Sequence, residues 1–213
     1  PVAELLDEAA ELASAGVKEL IVIAQDITRY GIDLYGEYSL AKLMRRLCKI
    51  DGLKWLRVLY CYPDALTDEL LETMAEEEKI VKYIDLPLQH ASARVLKRMN
   101  RKYTTAEYEE GCRILRKYFN NPAITTDVIV GFPQETEEEF MQTVEFLKKI
   151  RFYETHIFKY SKRKGTPAAI MQGQIPEEVK SVRSDRLSEL HTQNSHAFRE
   201  SYIGKQVEYL LEE

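Results

Sequence analysis

Cysteine is scarce: the 213 residues hold three, Cys48, Cys61 and Cys112. An odd number at wide spacing excludes a disulfide framework and fits a reducing, cytoplasmic compartment, and no two of them are spaced as a metal-ligand pair. Glycine and proline are few, 9 and 7, which excludes collagen-like, low-complexity and disordered classes. No apolar run approaches the roughly 18 residues of a membrane-crossing helix. Those present, such as Leu20 to Ala24, are strand-sized, so a soluble protein with no membrane partner is expected. A basic excess is also missing. Thirty Lys and Arg stand against 35 Asp and Glu, a formal net charge of -5, so any nucleic-acid partner must be met by a local patch. An initiator methionine and a basic-then-apolar leader are absent too; with Pro1 standing first, the chain reads as a piece of a longer protein.

What is present is a regular alternation. A hydrophobic content of 45% suffices for one sizeable core. Apolar residues Val2, Leu5, Leu6, Ala9, Leu12 and Ala13 recur at helical spacing up to Gly16. Glu19 to Gln25 then forms a short, nearly continuous apolar run, the pattern of a parallel strand covered on both faces. The same signals repeat as helix Ser39–Ile50, strand Lys54–Tyr60, helix Thr67–Glu77 and strand Val81–Leu86. Helical segments Ser92–Arg98 and Thr104–Phe119, strand Ala123–Val130, helix Glu135–Ile150 and strand Tyr153–Phe158 follow. Thr67 and Thr136 stand as helix caps. Such alternation predicts right-handed βα units and a parallel sheet. An opening helix without its strand implies at least six strands in the complete domain. After a polar stretch from Ser161 to Gly173, a long helix is expected over Glu177–Tyr202, with Val179, Val182, Leu187, Leu190, Ala197 and Phe198 near one face. Gln206 to Leu211 looks like a strand of a further module.

In parallel α/β architectures ligands gather where the strands end. The loops expected there begin at Gln25-Asp26, Cys61-Tyr62-Pro63, Pro87-Leu88-Gln89-His90, Gly131-Phe132-Pro133 and Lys159-Tyr160-Ser161, all polar or marked by Gly or Pro. Each could be plain turn chemistry; their coincidence on one rim is what points to a site. His90 reads as a hydrogen-bonded rim residue rather than a metal ligand, since zinc sites need three or four protein ligands. His156, inside an apolar strand, reads as structural, and Cys61 as a packed thiol. Two basic clusters stand out. Lys97, Arg98, Arg101 and Lys102 fit helical surface charge, whereas Lys159, Lys162, Arg163 and Lys164 around Tyr160 could touch RNA phosphates or an acidic protein segment.

Together the loops match a known pattern. Ile84-Asp85-Leu86-Pro87-Leu88-Gln89-His90-Ala91-Ser92 with Val95 to Arg101, Asp127-Val128-Ile129-Val130-Gly131-Phe132-Pro133-Gln134-Glu135-Thr136, and Phe158 to Ser161 leading to Gly165-Thr166-Pro167-Ala168 closely resemble the radical S-adenosylmethionine methylthiotransferases. The resemblance implies an α/β fold: a partial (βα)6 TIM-like barrel lacking its first strand, over residues 1–173, then a helical extension over 174–204 and the start of a truncated TRAM-like barrel over 205–213. It implies S-adenosylmethionine bound against a 4Fe-4S cluster, cleavage to a deoxyadenosyl radical, hydrogen abstraction and installation of a methylthio group. Family members carry a second 4Fe-4S cluster and draw electrons from a reductant such as flavodoxin or ferredoxin. The CxxxCxxC run that binds the reactive cluster is absent, so no metal ligand is expected within the chain, and the chain alone is expected to be inactive.

By the same resemblance Gln25 would contact the methionyl amino group and Gln89 the ribose, while Thr126, Asp127 and the backbone of Ile129, Val130 and Gly131 would line the nucleoside. Gln134 stands where the family usually has Gly, which implies a less permissive loop. Asp26 to Gly36, Tyr60 to Pro63 and Leu88 to His90 look like the branch that modifies an aspartate of protein twelve of the small ribosomal subunit. Arg101 to Thr104 and Tyr160 to Pro167 look more like the branches acting on adenosine in the tRNA anticodon loop. The ribosomal protein is the favoured target, tRNA the alternative, and a non-catalytic α/β binding module the alternative of another class.

Overall fold

A computed structural model describes residues 1–211. Its element order is α1 (Val2–Ser14), β1 (Glu19–Ile23), α2 (Ile32–Tyr35), α3 (Leu40–Leu47), β2 (Trp55–Leu59), α4 (Asp68–Glu76), β3 (Ile80–Asp85), α5 (Ala93–Arg98), α6 (Thr105–Tyr118), β4 (Ala123–Val130), α7 (Glu137–Ile150), β5 (Glu154–Lys159), α8 (Pro167–Ile170) and α9 (Glu177–Glu200). Short 3-10 turns at Ile27–Arg29 and Pro63–Ala65 follow the first two strands. The strands form one five-stranded sheet in the sequential order β1-β2-β3-β4-β5, every neighbouring pair parallel. That order arises when each strand is followed by a right-handed crossover on the same side, as in a βα barrel.

The helix starts are chemically fixed. Thr67 Oγ1 accepts from the Leu70 N–H at 3.2 Å, and Thr104 and Thr136 head reciprocal capping boxes with Glu107 and Glu139. One face of the sheet is covered by helices: Leu56 and Val58, Ile84, and Ile124, Val128 and Val130 are buried with Leu43, Met44, Leu71, Tyr108, Phe140 and Phe152 in a continuous core. Residues of the other face, including Ile21, Ile23, Arg57, Asp127, Ile129, His156 and Phe158, are partly or well exposed.

The sequence expectations need correction in three places. The first strand is not covered on both faces: Ile21 is 49% and Ile23 56% exposed, because the sheet stays open and no helix or strand packs on that side among the described residues, only Leu210 coming near at its lower end. For the same reason His156 is exposed rather than structural; it alternates with Thr155 and Ile157 and registers against Asp127 on the open face. Gln206 to Leu211 form no strand. This segment runs irregularly to the lower ends of β1 and β2, where Glu208 pairs with Lys54. Residues 212–213 of the expected further module lie outside the described residues.

Candidate cofactor-binding rim

Because all five strands run in parallel, the loops after them emerge at one edge of the sheet, where hydrogen bonds join each to the next. The Tyr62 N–H donates to Thr28 Oγ1 at 3.3 Å and Arg29 pairs with Asp64, tying the first loop to the second. The Tyr60 N–H donates to Asp85 Oδ2 at 2.9 Å, tying the second to β3. Gln89 bridges β3 and β4: its N–H donates to the Asp127 carbonyl at 2.7 Å and its carbonyl accepts from Ile129 at 2.8 Å. Tyr160 N–H donates to the Val130 carbonyl at 2.8 Å, closing the series at β5.

The residues singled out from the sequence divide on this frame. Gln25 lies in the turn two positions past β1, exposed. Gln89 sits at φ +66°, a left-handed conformation that swings its side chain out of the strand register, and its amide has no hydrogen bond among the described residues. Asp127 and Ile129 occupy the open face beside it. Burial, and then the nearby Asp85, push the Asp127 carboxyl above its usual range, while His156 and Arg101 pull it back. Thr126 stands apart. It is fully buried under the helices, its Oγ1 donating to the Leu86 carbonyl and accepting from the Leu88 N–H, both at 2.9 Å. Alternation along β4 puts Val130 on that covered side too. The Ile129 N–H, the Val130 carbonyl and the Gly131 N–H are already engaged within the protein, so this stretch offers chiefly the Ile129 side chain to a ligand.

Beneath the rim lies a buried charge network. The Ser92 N–H donates to His90 Nδ1 at 2.9 Å, so Nε2 carries the proton and donates to Glu135 Oε1 at 2.9 Å. Glu135 Oε2 accepts from the Gly131 N–H and from Arg183 Nη1, the latter at 3.0 Å. His90 is thus a scaffold residue that fixes the β4 loop. Gly131 is required there: its φ is +73°, and a Cβ would overlap the Lys180 side chain at Cγ. Gln134 takes φ +65° where glycine would be unstrained, at a cost of about 1 kcal/mol. Five hydrogen bonds hold it there: its N–H to the Gly173 carbonyl at 2.7 Å, its Nε2 to the Gln172 carbonyl at 3.2 Å, Arg98 Nη1 to its Oε1 at 3.0 Å, and Arg94 Nη2 and Arg98 Nη2 to its carbonyl at 3.3 and 3.5 Å.

Two residues of the rim escaped the sequence reading. Arg101, assigned to helical surface charge, lies past the end of α5, donates to Tyr62 Oη at 3.3 Å and leaves its buried Nε without a partner. His156 was hidden by the apolar run around it, although strict alternation in β5 would have placed it beside Phe158. None of the three cysteines can serve a cluster. They are buried on separate elements, burial pushes all three thiols up, those of Cys48 and Cys112 to about 11 and about 12, and the described residues contain no His/Cys/Asp/Glu group able to hold a metal.

The model of the Radical SAM superfamily matches residues 1–147. The chain belongs to the radical SAM superfamily. Its parallel sheet and open face are accordingly those of that superfamily's partial TIM-like barrel, and solved structures show the same fold. Coproporphyrinogen III oxidase (HemN) from Escherichia coli superposes with a TM-score of 0.64 at 14% identity, covering 91% of this chain and 46% of that one. TsrM from Kitasatospora setae, a radical S-adenosylmethionine methyltransferase solved with cobalamin and a 4Fe-4S cluster bound, superposes at 0.63 with 19% identity, covering 80% and 33%. Curated relatives are more similar in sequence. The ribosomal protein uS12 methylthiotransferase RimO of Caldanaerobacter subterraneus subsp. tengcongensis is 50% identical over 208 residues, 98% of this chain. That of Clostridium botulinum is 46% identical over 209. The chain spans about half the length of these relatives, 47% to 48%. No described helix is long and apolar enough to cross a membrane.

Proposed function

We propose that the protein carrying this chain is a radical SAM methylthiotransferase that modifies an aspartate of ribosomal protein uS12, and that this chain supplies its S-adenosylmethionine-binding face. The observation that carries the reading is the 44% to 50% identity to uS12 methylthiotransferases, sustained over 98% of the chain. The rim fits the ligand chemically. An ammonium needs acceptors, which the Gln25 amide and Asp127 offer; ribose hydroxyls need a mixed donor and acceptor, the Gln89 amide; a carboxylate needs a cation with free donors, which is Arg101; adenine needs an apolar wall, which is Ile129. When bound, S-adenosylmethionine supplies the hydrogen-abstracting fragment and the methyl group. This chain's residues do not fit a cluster, so the 4Fe-4S ligands belong to other parts of the protein, as does docking of a flavodoxin- or ferredoxin-type reductant. Buried, protonated thiols suit a cytoplasmic setting.

The test is to offer the reconstituted full-length protein uS12 and unmodified tRNA separately and to weigh the products. A methylthio group on the uS12 aspartate is expected; its appearance on tRNA adenosine alone would overturn the substrate, and on neither, the activity. In the same preparation Arg101→Ala should weaken S-adenosylmethionine binding about tenfold or more, the loss of one charge-assisted contact. Unchanged binding would remove Arg101 from the site.

A further inference from the structure

The turn between β5 and α8 carries three consecutive cations, Lys162, Arg163 and Lys164, all exposed. None of them makes an ion pair among the described residues; the neighbouring Lys159 and Lys180 both pair with Glu177 instead, at 2.7 and 3.4 Å. The turn is built rather than slack. Tyr160 is held through its N–H by Val130 and through its carbonyl by Lys180 Nζ at 2.8 Å, and its ring stands edge-on to Phe132 with centroids 5.3 Å apart. The Thr166 N–H and Oγ1 both donate to the Arg163 carbonyl, at 3.2 and 2.8 Å, and Gly165 takes φ +86° to complete the bend. Three like charges are therefore carried on a fixed backbone turn just past β5, the strand paired with the β4 that bears Asp127 and Ile129.

A chain of net charge -5 that neutralises many of its surface cations in ion pairs leaves these three open beside the site. Their complement is an anion. If the target is a ribosomal protein, it is not the target itself: a protein that sits on RNA carries its own basic surface, and a cationic turn would repel it. The anion that accompanies such a protein is the phosphate backbone around it. We infer that the turn Lys162–Lys164 binds RNA phosphates, so that the substrate is recognised as an RNA–protein particle rather than as a free protein. The inference rests on the proposed function for its substrate, but the RNA contact is measurable without it.

The experiment uses full-length protein, wild type and Lys162→Ala/Arg163→Ala/Lys164→Ala, with a charge-reversed triple variant (each to Glu) as a second probe and thermal melting to confirm folding. Binding to small ribosomal subunits and to a glutamate-rich peptide is measured across a salt series, and methylthiolation is followed on isolated uS12 and on assembled subunits. The alanine variant should bind subunits about tenfold more weakly, with a log-log salt slope shallower by about 2, the share of three phosphate contacts. Charge reversal should weaken binding further, and the rate on isolated uS12 should stay within about twofold of wild type. An unchanged salt slope overturns the inference, and so does a loss confined to the glutamate-rich peptide or an equal loss of rate on both protein substrates. If neither substrate is modified by wild type, the proposed activity fails while the binding series still decides the RNA contact.

Discussion

Glu139, in the first turn of α7, shows how one side chain is tuned by its neighbours. It is almost buried, and burial alone would raise its carboxyl. Opposing this, Arg94 donates Nε to Oε1 and Nη2 to Oε2, each at 2.6 Å, and the Thr136 N–H and Ser92 Oγ add bonds at 2.9 and 3.0 Å. The carboxyl is pulled from 4.5 down to about 2. A folded-state value below the unfolded one gives stability that is present above the unfolded value, near pH 4.5, and is lost as pH falls through about 2. The shift corresponds to about 3 kcal/mol. Because Arg94 is 55% exposed, solvent screening reduces the expectation to about 2 kcal/mol. Glu139→Gln should therefore destabilise by about that amount at pH 7, and the gap from wild type should shrink toward pH 2.5 in denaturant titrations. An equal gap at both pH values would show that the carboxylate charge contributes nothing. The cap position itself was readable from Thr136 and the glutamates after it. Arg94, 45 residues away on α5, was not, because that pairing exists only once α5 and α7 meet.

At the scale of elements, α9 separates what sequence pattern reveals from what it hides. Its existence and start at Glu177 were legible, but of the apolar residues that suggested its buried face, Leu187 alone is fully covered and Val182 is 69% exposed. The helix docks through Leu187, through Phe198 against Tyr153 with ring centroids 4.6 Å apart, and through a charge that no apolar pattern shows. Arg183 is buried, donates to both the carbonyl and the carboxylate of Glu135, and reaches Glu137 at 3.1 Å. A periodicity search seeks apolar anchors and passes over a buried arginine, whose partner lies 48 residues back in the β4 loop. Removing one member of a buried pair strands the other, so Arg183→Met should cost about 3–5 kcal/mol, whereas Arg183→Met with Glu135→Gln should cost less than the sum of the single changes. Hydrogen exchange should show α9 and the Gly131 amide losing protection together. Protection lost in α9 with Gly131 unaffected would mean that the helix does not brace the loop.

Over the whole molecule, the alternation of apolar runs and helical segments predicts a parallel sheet, but right-handed crossovers allow a doubly wound order as well as the sequential order found. What those signals could not show is that one side of the sheet would be bare. An apolar run such as Leu20 to Ala24 looks the same whether its second face meets helices or an open interior. The candidate residues divide likewise: chain order put Gln25 and Gln89 just past strand ends and Asp127 within β4, but only three-dimensional alternation turned Thr126 inward and His156 outward. The bare side has a physical consequence at β1, the outermost strand, whose free edge adjoins Ile21 and Ile23. An unpaired edge with exposed apolar residues is a template for pairing with another chain. The 213-residue chain by itself should therefore self-associate with rising concentration, as read by light scattering. Covering two half-exposed isoleucines contributes about 2 kcal/mol, so Ile21→Lys with Ile23→Lys should weaken that association by about thirtyfold. Because both side chains are half exposed, the same variant should melt close to the parent. A variant that associates as strongly as the parent would place the contact elsewhere, with the exposed Val179 and Val182 of α9 the next surface to change.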